Sequence, residues 1–407
     1  MSTIKSKHLF LFSCAVLIFG LLWSRFMISL GMIFLLFTAF YEGDIKEMFV
    51  HFFKNKAYLA LTGIFFLFLA TGLWTDNQEY FIQRMTLKLP FFFLPFAFSA
   101  MPKMDRRTII SVFYIFIAVC LTGVLWSMGL FLTDLNHYID IYSKGQILPT
   151  PVHHIRFSIM IAIAIAMAVY LIFKNEYLVY KKERYILIGI ALFFALYLHL
   201  LAVRSGLMTF YVFILCTLFF TLKSKVNKKM GLAISAFAIV VVTFSFLFVP
   251  TVKNKVGYMR YSLRQFAKNE NIRDLSDSRR LGSIFAGIDL GKKNPLLGVG
   301  YGDLKDETNA YLKKHYPDLQ DLDLLPHNQY ILVLATAGVI GMLLFILFTT
   351  LPFFYQMAYK DFFFVSIQLM FISSFIVEHT IEAQIGTAIY IFIVLLAMKN
   401  IESINLE

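Results

Sequence analysis

The residues of this chain best suited to chemistry are few, and they cluster at the edges of apolar runs. Arg204 stands between two such runs with only Val203 and Ser205-Gly206 as a turn. An arginine there either snorkels to the membrane interface or offers its bidentate fork to a phosphate. His327 lies in Leu-Pro-His-Asn-Gln-Tyr, behind a proline suited to a helix start. At a helix mouth an imidazole is either structural or a general base near neutral pH. Arg279 and Arg280 open a second helical stretch. Cations at a helix start oppose the macrodipole, so the pair is either a solvated face or part of an anion site. His153, His154 and Arg156 group cationic and titratable side chains at the start of another apolar run. They could bind phosphate or mark the interface. Glu378, His379 and Glu382 form a polar turn that could pair with these arginines.

Other chemistries lack their motifs. The chain has no Walker A loop and no HExxH pair, which argues against ATP-driven transport and zinc proteolysis. It has no GxSxG elbow for acyl hydrolysis. Asp321 and Asp323 have DxD spacing but adjoin leucines, so they are expected to be solvated rather than metal-binding. Cys14, Cys120 and Cys216 fall inside apolar runs without CxxC or Cys/His spacing, and read as packing residues.

The elements that must position these residues are transmembrane helices. Hydrophobic residues make up 59% of the 407 positions and charged residues 15%, against roughly 25% charged in soluble domains. The net charge of +12 does not point to nucleic acid, because the basic residues form short clusters between apolar runs. The expected spans are Leu9–Trp23, Phe26–Tyr41, Ala57–Trp74, Met85–Met101, Thr108–Leu132, Ile155–Phe173, Tyr185–Leu201, Gly206–Leu222, Met230–Val249, Gln329–Thr349, Phe362–Val377 and Ile385–Met398. Lys5 and Lys7 precede the first run without a small-x-small cleavage site, so it reads as an uncleaved span.

Orientation follows from the lysines and arginines. Lys54/Lys56, Lys103/Arg106/Arg107, Lys181/Lys182/Arg184 and Lys223/Lys225/Lys228/Lys229 outweigh Arg25, Arg84, Lys88, Lys144, Arg156 and Arg204. By the positive-inside rule both termini are cytoplasmic, and the notable charges and the long loop face outward. The expectation is an all-α polytopic membrane protein of about twelve helices. Residues 1–250 hold helices one to nine, 251–326 the large periplasmic loop, and 327–407 the last three helices. Within the loop, Val256–Lys268 has helical spacing with Arg260, Arg264 and Lys268 on one face. Arg280–Leu290 reads as a second helix, ended by Gly291 and Asn294-Pro295. Gly298, Gly300 and Gly302 follow as a flexible turn.

In order, Arg280-Leu281, an apolar helix, Asn294-Pro295-Leu296-Leu297-Gly298-Val299-Gly300, Pro326-His327-Asn328-Gln329-Tyr330 and Ala337-Gly338-Val339-Ile340-Gly341 resemble the O-antigen ligase/O-antigen polymerase family. Phe285 stands near where that family commonly has Trp. The resemblance implies a GT-C-like, metal-independent, inverting glycosyltransferase of the inner membrane, with no cofactor. Such an enzyme takes a glycan from undecaprenyl pyrophosphate and joins it to a hydroxyl acceptor on the periplasmic face. The resemblance places the essential histidine at His327 and the essential arginines at Arg280 and Arg204. Arg279, Asn328, Arg156, His154 and Arg264 are the accompanying candidates for substrate binding. The first expectation is an O-antigen ligase acting on lipid A–core. A polymerase or a protein O-oligosaccharyltransferase of the same architecture is the alternative. A flippase would instead show inverted repeats and midplane charges, and a scaffold protein would leave Arg204 and His327 dispensable.

Overall fold

The computed structural model describes residues 2–42, 45–138, 147–223, 236 and 250–405. The described residues form helices and connecting turns, without strands. In chain order the helices are α1 (Ser2–Trp23), α2 (Arg25–Glu42), α3 (Ile45–Lys54), α4 (Lys56–Ala70), α5 (Gln78–Thr86), α6 (Leu89–Ala100), α7 (Arg106–Thr133) and α8 (His154–Lys174). There follow α9 (Glu183–Leu201), α10 (Arg204–Lys223), α11 (Pro250–Lys268), α12 (Ser276–Lys293), α13 (Leu304–His315), α14 (Gln329–Thr350), α15 (Phe362–Val377) and α16 (Gln384–Ile404).

Among the described residues eight helices are long and apolar enough to cross a membrane, or nine if the bent pair α2–α3 is one span. α15 is apolar but shorter. The expected span Met230–Val249 lies outside the described residues except for position 236. The expected span Met85–Met101 is interrupted instead of continuous. α5 ends at Thr86, Lys88 is wholly buried at the junction, and α6 begins at Leu89 with Pro90 in its first turn. Lys88 holds the break open because its ammonium donates to Ile381 O at 2.6 Å and to Glu382 at 2.7 Å. A fully buried ammonium tolerates that position only with such partners.

Two helices form the axis of the bundle. α8 is buried along its whole apolar length, and α16 along nearly all of it. In α8, alternation of Ile159, Ile161, Ile163 and Ile165 with Ala162, Ala164, Ala166 and Ala168 lets neighbours approach on all sides. Small residues drive such packing in membranes, where no hydrophobic force separates helices from lipid. At Gly206 a Cβ would lie 2.3 Å from that of Ser158, so α10 can approach α8 only through a glycine. That contact fixes Arg204, two residues away, at the end of the bundle.

The loop after α9–α10 carries more order than its sequence suggests. Both expected loop helices are present as α11 and α12, and α13 is an addition. The glycine-rich turn is not a flexible connector. α14 breaks at Gly338, which has φ +65° and ψ −167°. The break strands backbone groups at membrane depth, where each must find a partner. The turn 294–300 supplies them. Val299 N–H donates to Ala335 O at 2.8 Å, Gly300 N–H to Thr336 O at 3.0 Å, and Val339 N–H to Pro295 O at 2.8 Å. Gly298 must be glycine as well, with φ +68° and the Thr336 carbonyl carbon 2.3 Å from where a Cβ would be. This backbone clasp ties the C-terminal end of α12 to α14, the helix that His327 precedes.

Candidate functional site

Arg204, Arg280 and His327 line one cavity of about 280 Å³. Arg204 comes from the start of α10, Arg280 from the first turns of α12, and His327 from the turn before α14. Asp277 also lines it, and Met259, Leu263, Ile284 and Ile376 make much of its wall apolar. The cavity therefore combines apolar wall residues with two arginines, which suits an amphiphilic anion.

The orientation of His327 follows from its hydrogen bonds. Nδ1 lies 3.1 Å from Leu325 O and 3.2 Å from Ser283 Oγ. A carbonyl can only accept. The Ser283 hydroxyl donates its own proton to Arg280 O at 2.8 Å, so towards His327 it too accepts. It also receives the His327 backbone N–H at 3.3 Å. Nδ1 thus carries the proton in the neutral ring, and Nε2 is left with its lone pair. Burial pushes the His327 imidazole down from its ordinary value to about 4, and the Arg280 charge adds to this. The ring is neutral at physiological pH, as a general base must be.

The arginines are held by carboxylates. Arg204 donates to Asp277, which lies in the first turn of α12, where a carboxylate also complements the helix dipole. The other oxygen of Asp277 is buried without a partner among the described residues. Arg280 donates to Glu378, whose second oxygen lies 3.9 Å from Arg156. Arg156 also donates to His379 O at 3.3 Å. Burial raises the Glu378 carboxyl above its usual range, against the pull of Arg280 and Arg156. His379 packs its ring edge-on to that of His327, with centroids 4.6 Å apart. Burial, then His327 and Arg156, push its imidazole well below the usual value. Nearby, burial and the Arg156 and Arg280 charges lower His153, whose ring stacks on His154 at 4.4 Å.

One nitrogen or oxygen each from His327, Glu378 and His379 come within 4.8 Å of one another, a spacing that a metal ion could use. The charges argue for a different occupant. Glu378 is already engaged by Arg280 and Arg156, so a cation would have to displace an arginine and sit among like charges. Three arginines face two carboxylates here, and the surplus favours an anion.

The other expected residues occupy different places. Arg156 stands behind the cavity, on Glu378 and His379. Asn328 caps α14, accepting from Ile331 N–H at 3.0 Å and donating to Ile376 O at 2.7 Å, so its amide is committed to backbone. Arg279 turns away from the cavity to Arg273 O at 2.5 Å and Asp274 at 3.4 Å. Arg264 is exposed on α11, beside the wall residue Leu263 but not lining the cavity. Asp277 and Ser283 were not anticipated. Asp277 could have been found from the Ser-Asp-Ser start of α12. Ser283 could have been found because it lies three residues from Arg280, on the same helix face.

A second charged cluster backs the site. Glu382 accepts from Arg84 at 2.5 Å, Lys88 at 2.7 Å, Gln329 at 2.8 Å and the Tyr301 hydroxyl. Burial alone would raise its carboxyl, but Lys88 and Arg84 hold it well below the ordinary range. Gln329 also accepts from Ile381 N–H at 3.2 Å. The start of α14 and the turn 378–382 are thereby locked together.

Residues 187–346 match a family model described as O-antigen ligase. That stretch holds Arg204, Arg280, the clasp and His327, and the resemblance read from their motifs is borne out. The match supports a membrane enzyme of O-antigen ligase/polymerase type. No curated protein matches the chain.

Proposed function

We propose that this chain is an O-antigen ligase of the bacterial inner membrane, with cytoplasmic termini and the site on the periplasmic face. It transfers a glycan from undecaprenyl pyrophosphate to a hydroxyl of lipid A–core. The observation that carries this reading is the convergence of Arg204, Arg280 and His327 on one cavity with apolar walls. The two arginines bind the pyrophosphate of the donor, and the apolar wall receives the first isoprene units. The acceptor hydroxyl attacks the anomeric carbon as the bond to the pyrophosphate oxygen breaks, which inverts that carbon. His327 Nε2 takes the hydroxyl proton, and the arginines stabilise the charge developing on the leaving pyrophosphate. The unpartnered oxygen of Asp277 offers an acceptor for a sugar hydroxyl. The donor bond is already activated, so neither nucleotide nor metal is assigned a step, and the architecture is read as GT-C-like.

Lipopolysaccharide gels of a deletion strain complemented with wild type, His327→Ala or Arg280→Ala test this. The wild type should restore the ladder. Both variants should insert at normal abundance, lose the ladder and leave long glycan on the lipid carrier. A core bearing one repeat unit in the deletion strain would favour the polymerase. A ladder that persists in both variants would remove the mechanism.

A further inference from the structure

A cavity of about 510 Å³ lies at the opposite end of the bundle from His327. α16 links the two ends. It begins beside the turn 378–382, and its last turns carry Lys399 and Glu402 to the cavity floor. At 1.5 Å per residue the separation is about 25 Å, and the lysine–arginine count puts this end in the cytoplasm.

The floor is charged and buried. Lys399 Nζ lies 2.8 Å from Glu402 and 3.2 Å from Met101 O. The Glu402 carboxylate also receives the hydroxyls of Tyr58, at 3.1 Å, and Tyr355. A buried ion pair contributes little net stability compared with apolar packing, and these groups have no part in the outer site. At the mouth, Glu47 and His51 on α3 and Lys103 after α6 are exposed and have no ion pair or hydrogen bond among the described residues. Unpaired charges of both signs thus meet a floor that also carries both signs.

The mouth lies where lipid headgroups would be. α3 turns 112° from α2 and is amphipathic. Met48 and Phe52 are buried, with Phe52 and Phe49 on Phe96 at 5.5 and 5.1 Å, while Ile45, Phe49 and Phe53 remain exposed. A short helix of this kind lies in the membrane surface. The backbone at the rim is also unusual. Gln356, which lines the cavity, and Met357 are both left-handed, with φ of 44° and 60°. Non-glycine residues enter that region at a cost, and such costs gather where a site needs a particular shape.

We propose that this cavity holds the headgroup of a zwitterionic phospholipid that carries a primary amine. Its phosphate pairs with Lys103 and its ammonium with Glu47, above the closed floor of Lys399 and Glu402. A carboxylate acceptor calls for N–H donors, which a primary ammonium has and a quaternary one lacks. A cavity of this size fits a headgroup. The acyl chains leave along the exposed aromatic face of α3. The inference is independent of the glycosyl-transfer reading.

Native mass spectrometry and thermal unfolding of the full chain in detergent test it after lipid removal. Phosphatidylethanolamine should bind one per chain, at least tenfold more tightly than phosphatidylcholine or phosphatidylglycerol, and raise the unfolding temperature. Glu47→Ala and Lys103→Ala alter exposed side chains and should fold normally, yet each should weaken that binding about tenfold. Equal binding of the three lipids, or unchanged binding in both variants, would overturn the proposal. Binding of soluble O-phosphoethanolamine as tight as that of the lipid would overturn the lipid assignment in favour of a free metabolite.

Discussion

Glu378 and Glu382 are four residues apart on the same turn, both buried, and both surrounded by cations, yet they do opposite things. Glu382 is saturated. Arg84, Lys88, Gln329 and Tyr301 all converge on it, and none of these four lines the outer cavity. Glu378 shares itself between Arg280 and Arg156, and Arg280 remains on the wall of an open cavity. A closed cluster spends its charges on architecture. An open one keeps a cation that an incoming anion can take over. The distinction lies in how many donors reach each carboxylate, and residue type alone does not convey it.

The sharpest way to break this comparison is to neutralise each carboxylate in turn. Glu382→Gln leaves Arg84 and Lys88 buried without a counter-charge and should destabilise the solubilised protein by about 3–5 kcal/mol. Glu378→Gln removes the charged hydrogen bond from Arg280, which borders the open cavity, and should cost less, about 1.5–3 kcal/mol. It should also tighten inorganic pyrophosphate binding, because Arg280 no longer has a competing carboxylate. Thermal unfolding and pyrophosphate titration of both variants read the two effects. Equal stability losses with unchanged pyrophosphate binding would dissolve the distinction.

Both clusters depend on the placement of α14, and the clasp sets that placement. Gly338→Ala forces a side chain into a backbone conformation open essentially only to glycine, with its Cβ 2.2 Å from the Leu296 carbonyl. The loss should be about 1–3 kcal/mol from strain, with a fall in transfer as His327 shifts relative to Arg280. Unfolding temperature and transfer rate should fall together. A variant that loses neither would show that the turn 294–300 does not hold the site.

Much of this was legible in the residues. The apolar runs mark α1, α4, α7 to α10 and α14 closely, because an apolar stretch of about 18 residues has few other uses. Arg204 and His327 draw notice because charge beside a membrane span is costly, but it is the family resemblance that singles them out together with Arg280. The break at Lys88 was not legible, since only Glu382, far along the chain, makes a buried lysine tolerable there. The clasp was hidden for a similar reason. Glycines between helices read as flexibility, and only the broken hydrogen-bond ladder of α14 shows why they are needed. Residue type does not separate Arg279 from Arg280; the resemblance names Arg280, and helix phase turns Arg279 to Asp274 and Arg280 to the cavity.

The smallest expected effect concerns the ring that the open cluster serves. With its imidazole at about 4, His327 stays unprotonated as the pH falls through 6.5, so kcat/KM should hold level down to about pH 5 and decline below. An ordinary histidine would begin to lose activity near 6.5. Removing the Arg280 charge takes away a repulsion of the protonated ring, so in Arg280→Gln any residual activity should show its acid limb displaced upward. Ser283→Ala acts on orientation instead. It removes one of the two acceptors of Nδ1–H and leaves Leu325 O, so the rate should fall severalfold while the limb does not rise. An acid limb near 6.5 in the wild type would mean that Arg280 and burial do not govern His327, and that the cations of the open cluster act on the substrate alone and not on the base.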